Sequence, residues 1–249
     1  MQLTWPPSDG QVDPIAAHVD LPGGRPHRGA WVISNMVSSL DGGVTIDGRS
    51  GALGGPGDRA LFIAVRALAG TILVGAGTVR AERYRPTATT YVATPGRPHP
   101  PRLAIVSGRL DLEPALPCLS PDLPPEERPI IFTVTGAPAD RRSRLAEVAT
   151  VVDVGHDRLD IAELARMLSG VVVCEGGPTL LGQMVAAGLV DEWFVTIAGV
   201  ATAGGAARLA HGPQAIAERL DPVSIAVDGA DVFLHHVRHR TPGSLDAHD

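Results

Sequence analysis

Two segments of the chain share one physical form: an apolar run that breaks into glycines and then into a helical start. They are Ile72-Leu-Val-Gly-Ala-Gly-Thr-Val-Arg80 and Val171-Val-Val-Cys-Glu-Gly-Gly-Pro-Thr-Leu-Leu181. A short apolar run without polar alternation is the pattern of a strand covered on both faces. Such strands belong in parallel sheets with helices above and below. At each junction backbone N–H groups point outward, and the helix dipole favours an anion. Glycine lets a phosphate approach the backbone closely, and Thr78 and Thr179 add hydroxyl donors. Two such turns at the carboxyl edge of one sheet suit a dinucleotide diphosphate. The Rossmann fingerprint itself is excluded. Its third glycine falls on Arg80, and no strand about 20 residues further on ends in an acid for the ribose.

The rest of the chain alternates in the same way. Ala30 to Val37 reads as a strand ended by the turn signals of Ser38-Ser-Leu-Asp-Gly-Gly43. Gly54-Gly55-Pro56 reads as a loop or a flap. A helix is expected to begin near Asp58, capped by that side chain, with Leu61, Phe62, Val65, Leu68 and Ala69 on its apolar face. Further strands are expected at 102–107, 129–134, 150–153, 192–198, 223–228 and 231–238, and helices at 138–148, 160–169 and 179–187. The last two strands read as an antiparallel hairpin. Residues 1–29 form an N-terminal arm, 30–240 one domain, and 241–249 a polar tail.

Composition removes whole classes of chemistry. Lys and Arg together number 21, and every one is arginine. Schiff-base lysines and the P-loop are therefore absent. A net charge of -6 and 4% aromatics argue against a nucleic-acid partner. No segment reads as a membrane span or signal peptide, so a cytoplasmic location is expected. His235-His-Val-Arg-His239 has metal-like spacing, but on a strand His236 faces away from His235 and His239. A surface strand is the preferred reading, and no metal is expected. Cys118 and Cys174 form no C-x-x-C pair.

Asn35-Met-Val-Ser-Ser-Leu-Asp-Gly42, Val74-Gly-Ala-Gly-Thr-Val-Arg-Ala-Glu82 and Cys174-Glu-Gly-Gly-Pro-Thr-Leu-Leu181 occur in that order. Together they resemble the riboflavin-pathway pyrimidine reductase family, the reductase half of bifunctional deaminase-reductases, over residues 26–238. The resemblance implies an α/β, dihydrofolate-reductase-like three-layer sandwich, with a mostly parallel twisted sheet and a C-terminal antiparallel hairpin. It further implies NADPH as cofactor, a homodimer, and reduction of the ribosyl group of 5-amino-6-(5-phosphoribosylamino)uracil. The deaminase zinc signature is not found in the chain.

The resemblance also assigns residues. Val37, Gly75, Gly77, Thr78, Glu82, Ser107, Gly176, Gly177, Pro178, Thr179 and Leu180 match cofactor-contacting positions, and Arg109 stands where it could pair with a 2′-phosphate. Glu175 matches the acid that accepts from the pyrimidine, and Arg66 a substrate-contacting arginine. Asn35 stands where relatives often carry a substrate-contacting lysine, so the substrate stays open. The proton is expected to come from water or from an acid in the pocket, Glu175 or Asp41, although Asp41 before glycine also suits a turn that binds nearby backbone amides. Two rival readings remain: the same fold and cofactor acting on dihydrofolate or another small imine or carbonyl, and a non-catalytic nucleotide-binding regulator.

Overall fold

The structure is a computed structural model, and it describes residues 2–5, 29–91 and 99–239. Most of the expected arm and the whole expected tail lie outside those residues. The elements run β1 (Gln2–Trp5), β2 (Ala30–Ser39), α1 (Pro56–Leu68), β3 (Thr71–Gly75), α2 (Ala76–Glu82), β4 (Arg102–Val106) and β5 (Ile130–Thr133). There follow α3 (Ala139–Ala146), β6 (Thr150–Asp153), α4 (Ile161–Arg166), β7 (Gly170–Cys174), α5 (Pro178–Ala186), β8 (Glu192–Ala198), β9 (Leu220–Asp228) and β10 (Asp231–Arg238).

All the strands join one 10-stranded sheet in the order β1-β9-β10-β8-β2-β7-β3-β4-β5-β6. From β8 to β6 every neighbouring pair is parallel. At the other end β10 runs antiparallel to β8 and β9, and β1 antiparallel to β9. The expected mostly parallel sheet with a terminal hairpin is the architecture observed.

The unbroken apolar runs are explained by two cores. On β2, Trp31 and Ile33 face one cluster and Val32 the other; on β3, Ile72 and Val74 part from Leu73 in the same way. Leu61 and Val65 of α1, Val79 of α2 and Leu145 of α3 close the first core. Leu164 of α4 and Leu180, Leu181 and Met184 of α5 close the second. Each successive residue is thus buried on its own side, so the period-2 alternation of a half-exposed strand never appears.

Three local expectations are corrected. Helix α1 begins at Pro56 behind an N-cap Gly55 that makes no side-chain cap, and Asp58 lies inside its first turn. Proline fixes the helical φ without needing a hydrogen-bonded N–H, so it supplies the start that was assigned to Asp58. Asp160, by contrast, caps α4, accepting from the Glu163 amide at 2.9 Å. Strand β1 was read as part of an irregular arm. Gln2, Leu3 and Trp5 pair with β9, a contact that no local pattern announces.

His235 is the third correction. It is 0% exposed rather than on a surface strand. Its Nε2 lies 2.7 Å from Glu192 Oε1, and Trp31 Nε1 donates to Glu192 Oε2 at 2.7 Å. The ring stacks on Phe194 with centroids 4.1 Å apart. A buried carboxylate stands only with hydrogen-bonding partners, and Trp31 and His235 provide them. His239 is exposed and pairs with Asp221 instead.

Candidate active site

In the parallel part of the sheet all carboxyl ends face one way, so the loops after β2, β3, β4, β5, β7 and β8 share one edge. The two glycine turns become direct neighbours because β3 pairs with β7. Gly75 N–H donates to Gly176 C=O at 2.7 Å, and Glu175 N–H to Leu73 C=O at 2.9 Å. A Cβ on Gly177 would stand 2.7 Å from Thr78 Oγ1, so a side chain there would displace that hydroxyl. Gly176 has φ +72° and a cis peptide to Gly177, and a Cβ there would meet Met36 at 3.0 Å. Gly77 opens onto free space.

Helix α5 starts with Pro178 and has no side-chain cap. Its ladder begins with Leu181 N–H donating to Gly177 C=O, which leaves the Thr179 and Leu180 amides outside the ladder. Thr179 is exposed. The Leu180 side chain is 5% exposed and serves the core, so only its backbone faces the edge.

Glu175 closes β7 and is 6% exposed. It does not stand free. Arg66 donates from Nε to Oε1 at 2.6 Å and from Nη2 to Oε2 at 2.7 Å, a two-point pairing. The Tyr84 hydroxyl adds a third bond to Oε2 at 2.6 Å. Arg66 also donates from Nη1 to Thr90 at 2.9 Å and lies 4.1 Å over the Phe62 ring. Burial would lower the Arg66 pKa, but the Glu175 carboxylate overrides it and holds the guanidinium charged. Burial, with Glu175 beside it, pushes the Tyr84 hydroxyl well above its ordinary range. Arg66 and Glu175 are thus brought together, with Arg66 spent on Glu175. Tyr84 and Thr90 were not foreseen; they lie 91 and 24 residues from their partners, and no local spacing signals such contacts.

Asp41 is a clamp. It accepts from Ser39 Oγ at 2.5 Å, from the Thr202 amide at 3.1 Å and from the Ala203 amide at 2.6 Å. Those donors hold its carboxyl well below the usual range, the Ser39 hydroxyl contributing most. An ionised, acceptor-only carboxylate is a poor proton donor at neutral pH. The turn reading of Asp41 is the one its contacts support, although its amides lie in the loop after β8 rather than nearby. Leu40 N–H and Val44 N–H reach the same loop at Val200 and Ala207, and His211 N–H bonds Pro178 C=O. The segment after β8 therefore lies across the edge from β2 to α5.

The other expected residues lie along this edge. Val37 pairs in register with Thr196 of β8, and Asn35 with Phe194. Asn35 Nδ2 is buried without a hydrogen-bond partner. Glu82 Oε1 accepts from the Ser50 amide at 2.6 Å and from its hydroxyl at 3.0 Å, tying the loop before α1 to the end of α2. Ser107 is buried at the end of β4. Beyond it a cleft of about 320 Å³ is lined by Gly108, Arg109, Gly136, Arg141 and Asp157, among others. Arg141, which no sequence signal picked out, donates to Arg109 C=O at 3.1 Å. Cys174 is buried beside Glu175, and burial pushes its thiol up to about 12, which removes it as a nucleophile. Among the described residues, no group of three or more His, Cys, Asp or Glu side chains could hold a metal, and no helix is long and apolar enough to cross a membrane.

Comparison with known proteins places the chain among pyrimidine reductases. Residues 30–234 match the family model described as the RibD C-terminal domain. A protein of Methanothermobacter thermautotrophicus, named 2,5-diamino-6-ribosylamino-4(3H)-pyrimidinone 5′-phosphate reductase, is 31% identical over 200 residues, covering 78% of this chain and 89% of its own. A protein of the same name from Archaeoglobus fulgidus is 28% identical over 173 residues, covering 65% and 77%. The crystal structure of a pyrimidine reductase-like protein from Corynebacterium diphtheriae superposes with a TM-score of 0.75 at 26% identity, covering 85% of this chain and 92% of the other.

Proposed function

The chain belongs to the RibD C-terminal domain family, and from that membership we propose that it reduces the ribosylamino group of a pyrimidine 5′-phosphate to a ribitylamino group, with NADPH as reductant. The observation that carries the reading is the packing of two glycine turns on neighbouring parallel strands beneath an arginine-paired acid. The turns suit a diphosphate: a side chain at 177 would displace the Thr78 hydroxyl, Gly77 is open, and α5 starts without a cap. The Arg109–Arg141 cleft, two strands from the β7 turn, supports the phosphorylated cofactor, since a guanidinium pair suits a 2′-phosphate. When bound, the nicotinamide supplies hydride to the sugar C1′.

The chain's own residues do the positioning. The Thr179 and Leu180 amides meet the diphosphate. Val37, on the strand between β7 and β8, offers backbone to the nicotinamide amide. Glu175 presents its carboxylate to the pyrimidine from a site fixed by Arg66 and Tyr84. The Asp41 clamp holds the segment after β8 over the edge and restricts water. A homodimer in the cytoplasm belongs to the same reading, supported by the family resemblance.

The test follows nicotinamide absorbance with 2,5-diamino-6-ribosylamino-4(3H)-pyrimidinone 5′-phosphate and with its deaminated counterpart, 5-amino-6-(5-phosphoribosylamino)uracil. Oxidation of NADPH with either one is expected. Oxidation with dihydrofolate alone would overturn the substrate, and binding without oxidation on any of the three would overturn the enzyme.

A further inference from the structure

Reduction of a C1′=N bond needs a proton as well as hydride, and the geometry leaves both expected acids unsuited. Asp41 is saturated by a hydroxyl and two backbone amides. Glu175 accepts three hydrogen bonds, two of them from a guanidinium, and has no O–H to give in that arrangement.

Another carboxyl stands at the same edge in the opposite condition. Asp58, Phe62 and Arg66 recur at intervals of four along α1, which puts them on one stripe of the helix. The Arg66 end of the stripe meets Glu175 at the end of β7. The Asp58 end meets β8, at Thr196, and the turn of the β9–β10 hairpin. Thr196 is the partner of Val37 across β2 and β8. Partly exposed Phe62 lies between the two ends. The stripe thus spans the ends of β8, β2 and β7, the strands that carry the nicotinamide and pyrimidine positions of the proposed function.

The surroundings of Asp58 favour a proton on it. It is partly buried. Asp231 faces it from β10, and the Asp228 carboxylate at the end of β9 lies against Gly57. The Thr196 hydroxyl, buried beside it, closes no hydrogen bond of ordinary geometry. Of the cations on its own helix, Arg66 is engaged by Glu175 and Arg59 is exposed. Burial, with the Asp231 charge added, raises the carboxyl above the usual range, and Thr196 offsets this only in part.

We propose that Asp58 is the acid that protonates the substrate nitrogen, an inference that rests on the function proposed above. As C1′ accepts hydride, the C1′=N π pair moves onto nitrogen and takes the Asp58 O–H proton. The carboxylate left behind regains a proton from solvent. Only the protonated form works, so turnover falls as pH rises through the Asp58 pKa.

The test compares wild type, Asp58→Asn and Asp58→Glu for pH-dependent turnover, with NADPH affinity and a ¹³C carboxyl NMR titration of the cofactor-free protein alongside. In Asp58→Asn, kcat is expected to fall about a hundredfold or more with the alkaline limb gone, while NADPH affinity holds. Asp58→Glu keeps a limb at a shifted position. In the cofactor-free wild type, one carboxyl that disappears in Asp58→Asn titrates above the ordinary range. An Asp58→Asn enzyme with wild-type kcat and an unmoved limb, or an Asp58 that titrates in the ordinary range, overturns the inference alone. A wild type that turns over neither pyrimidine overturns the function it rests on. Should Asp58→Asn not fold, the Asp58→Glu limb and the wild-type titration decide: an unmoved limb is fatal and a displaced one supports the assignment.

Discussion

The two ends of α1 are built on opposite electrostatic plans. At its last turn Arg66 meets Glu175 in a two-point pair, with Tyr84, Thr90 and the Phe62 ring around it. At its first turn Asp58 meets another acid and a hydroxyl that makes no ordinary bond. One helix thus carries a charge that is fully answered and a charge that is not. The answered end fixes where α1 sits over β7. The unanswered end raises the Asp58 carboxyl above its usual range, which is how reactive groups depart from structural ones.

Replacing Glu175 with Gln attacks the answered end and carries the largest expected effect on the fold. It leaves a buried guanidinium without its counter-charge, a loss of about 3–5 kcal/mol, readable by urea unfolding. Turnover should fall further than NADPH affinity. Replacing Arg66 with Ala should match it in stability, and a cost near zero in either variant would dissolve the contrast.

Asp58→Asn should move stability the other way at neutral pH. Its folded pKa is raised, so the wild type loses stability as pH rises from the unfolded value through the folded one. The asparagine variant lacks that loss, and the two melting curves should converge in acid. A variant less stable than wild type at pH 7 would show Asp58 to be structural.

Arg109→Ala and Arg141→Ala test the cleft beyond β4, away from both ends of α1. Each should raise the KM for NADPH about tenfold and leave NADH nearly unchanged, as the loss of one charge-assisted bond would do. Equal effects on both cofactors would remove the cleft from the 2′-phosphate.

The smallest effect belongs to Asp41→Asn. Its folded pKa is lowered, so wild type holds an advantage above the ordinary carboxylate range that fades as pH falls towards the folded value. Amide exchange should quicken at Thr202 and Ala203, whose donors lose a charged acceptor. Unchanged exchange there would deny the clamp.

Much of the frame was legible along the chain. Both glycine turns, the strands from β2 to β8 and the terminal hairpin follow from apolar runs, turn residues and spacing, because those signals act within a few residues. What was misread shares one cause. The start of α1 depended on whether Pro56 opened the helix or Asp58 capped it, and β1 exists because β9 offers a free edge. His235 looked like surface because its polarity is visible in sequence and its partners Glu192 and Phe194 are not. The site divided in the same way. Arg66, Glu175 and Asp41 were found as residue types in motifs, but their mutual occupation was not. Tyr84 and Arg141 left no motif at all, and Asp58 read only as a helix cap.

By itself the sequence determined the parallel α/β frame, the two glycine turns and the exclusion of all lysine chemistry. These are properties of short windows: backbone freedom at glycine, burial of an apolar run, and the set of side chains present. Only the tertiary structure decided which carboxylate meets a cation, which meets amides and which meets another acid. Hydrogen bonding holds the Asp41 carboxyl low and desolvation raises that of Asp58, and both depend on atoms contributed from distant parts of the chain.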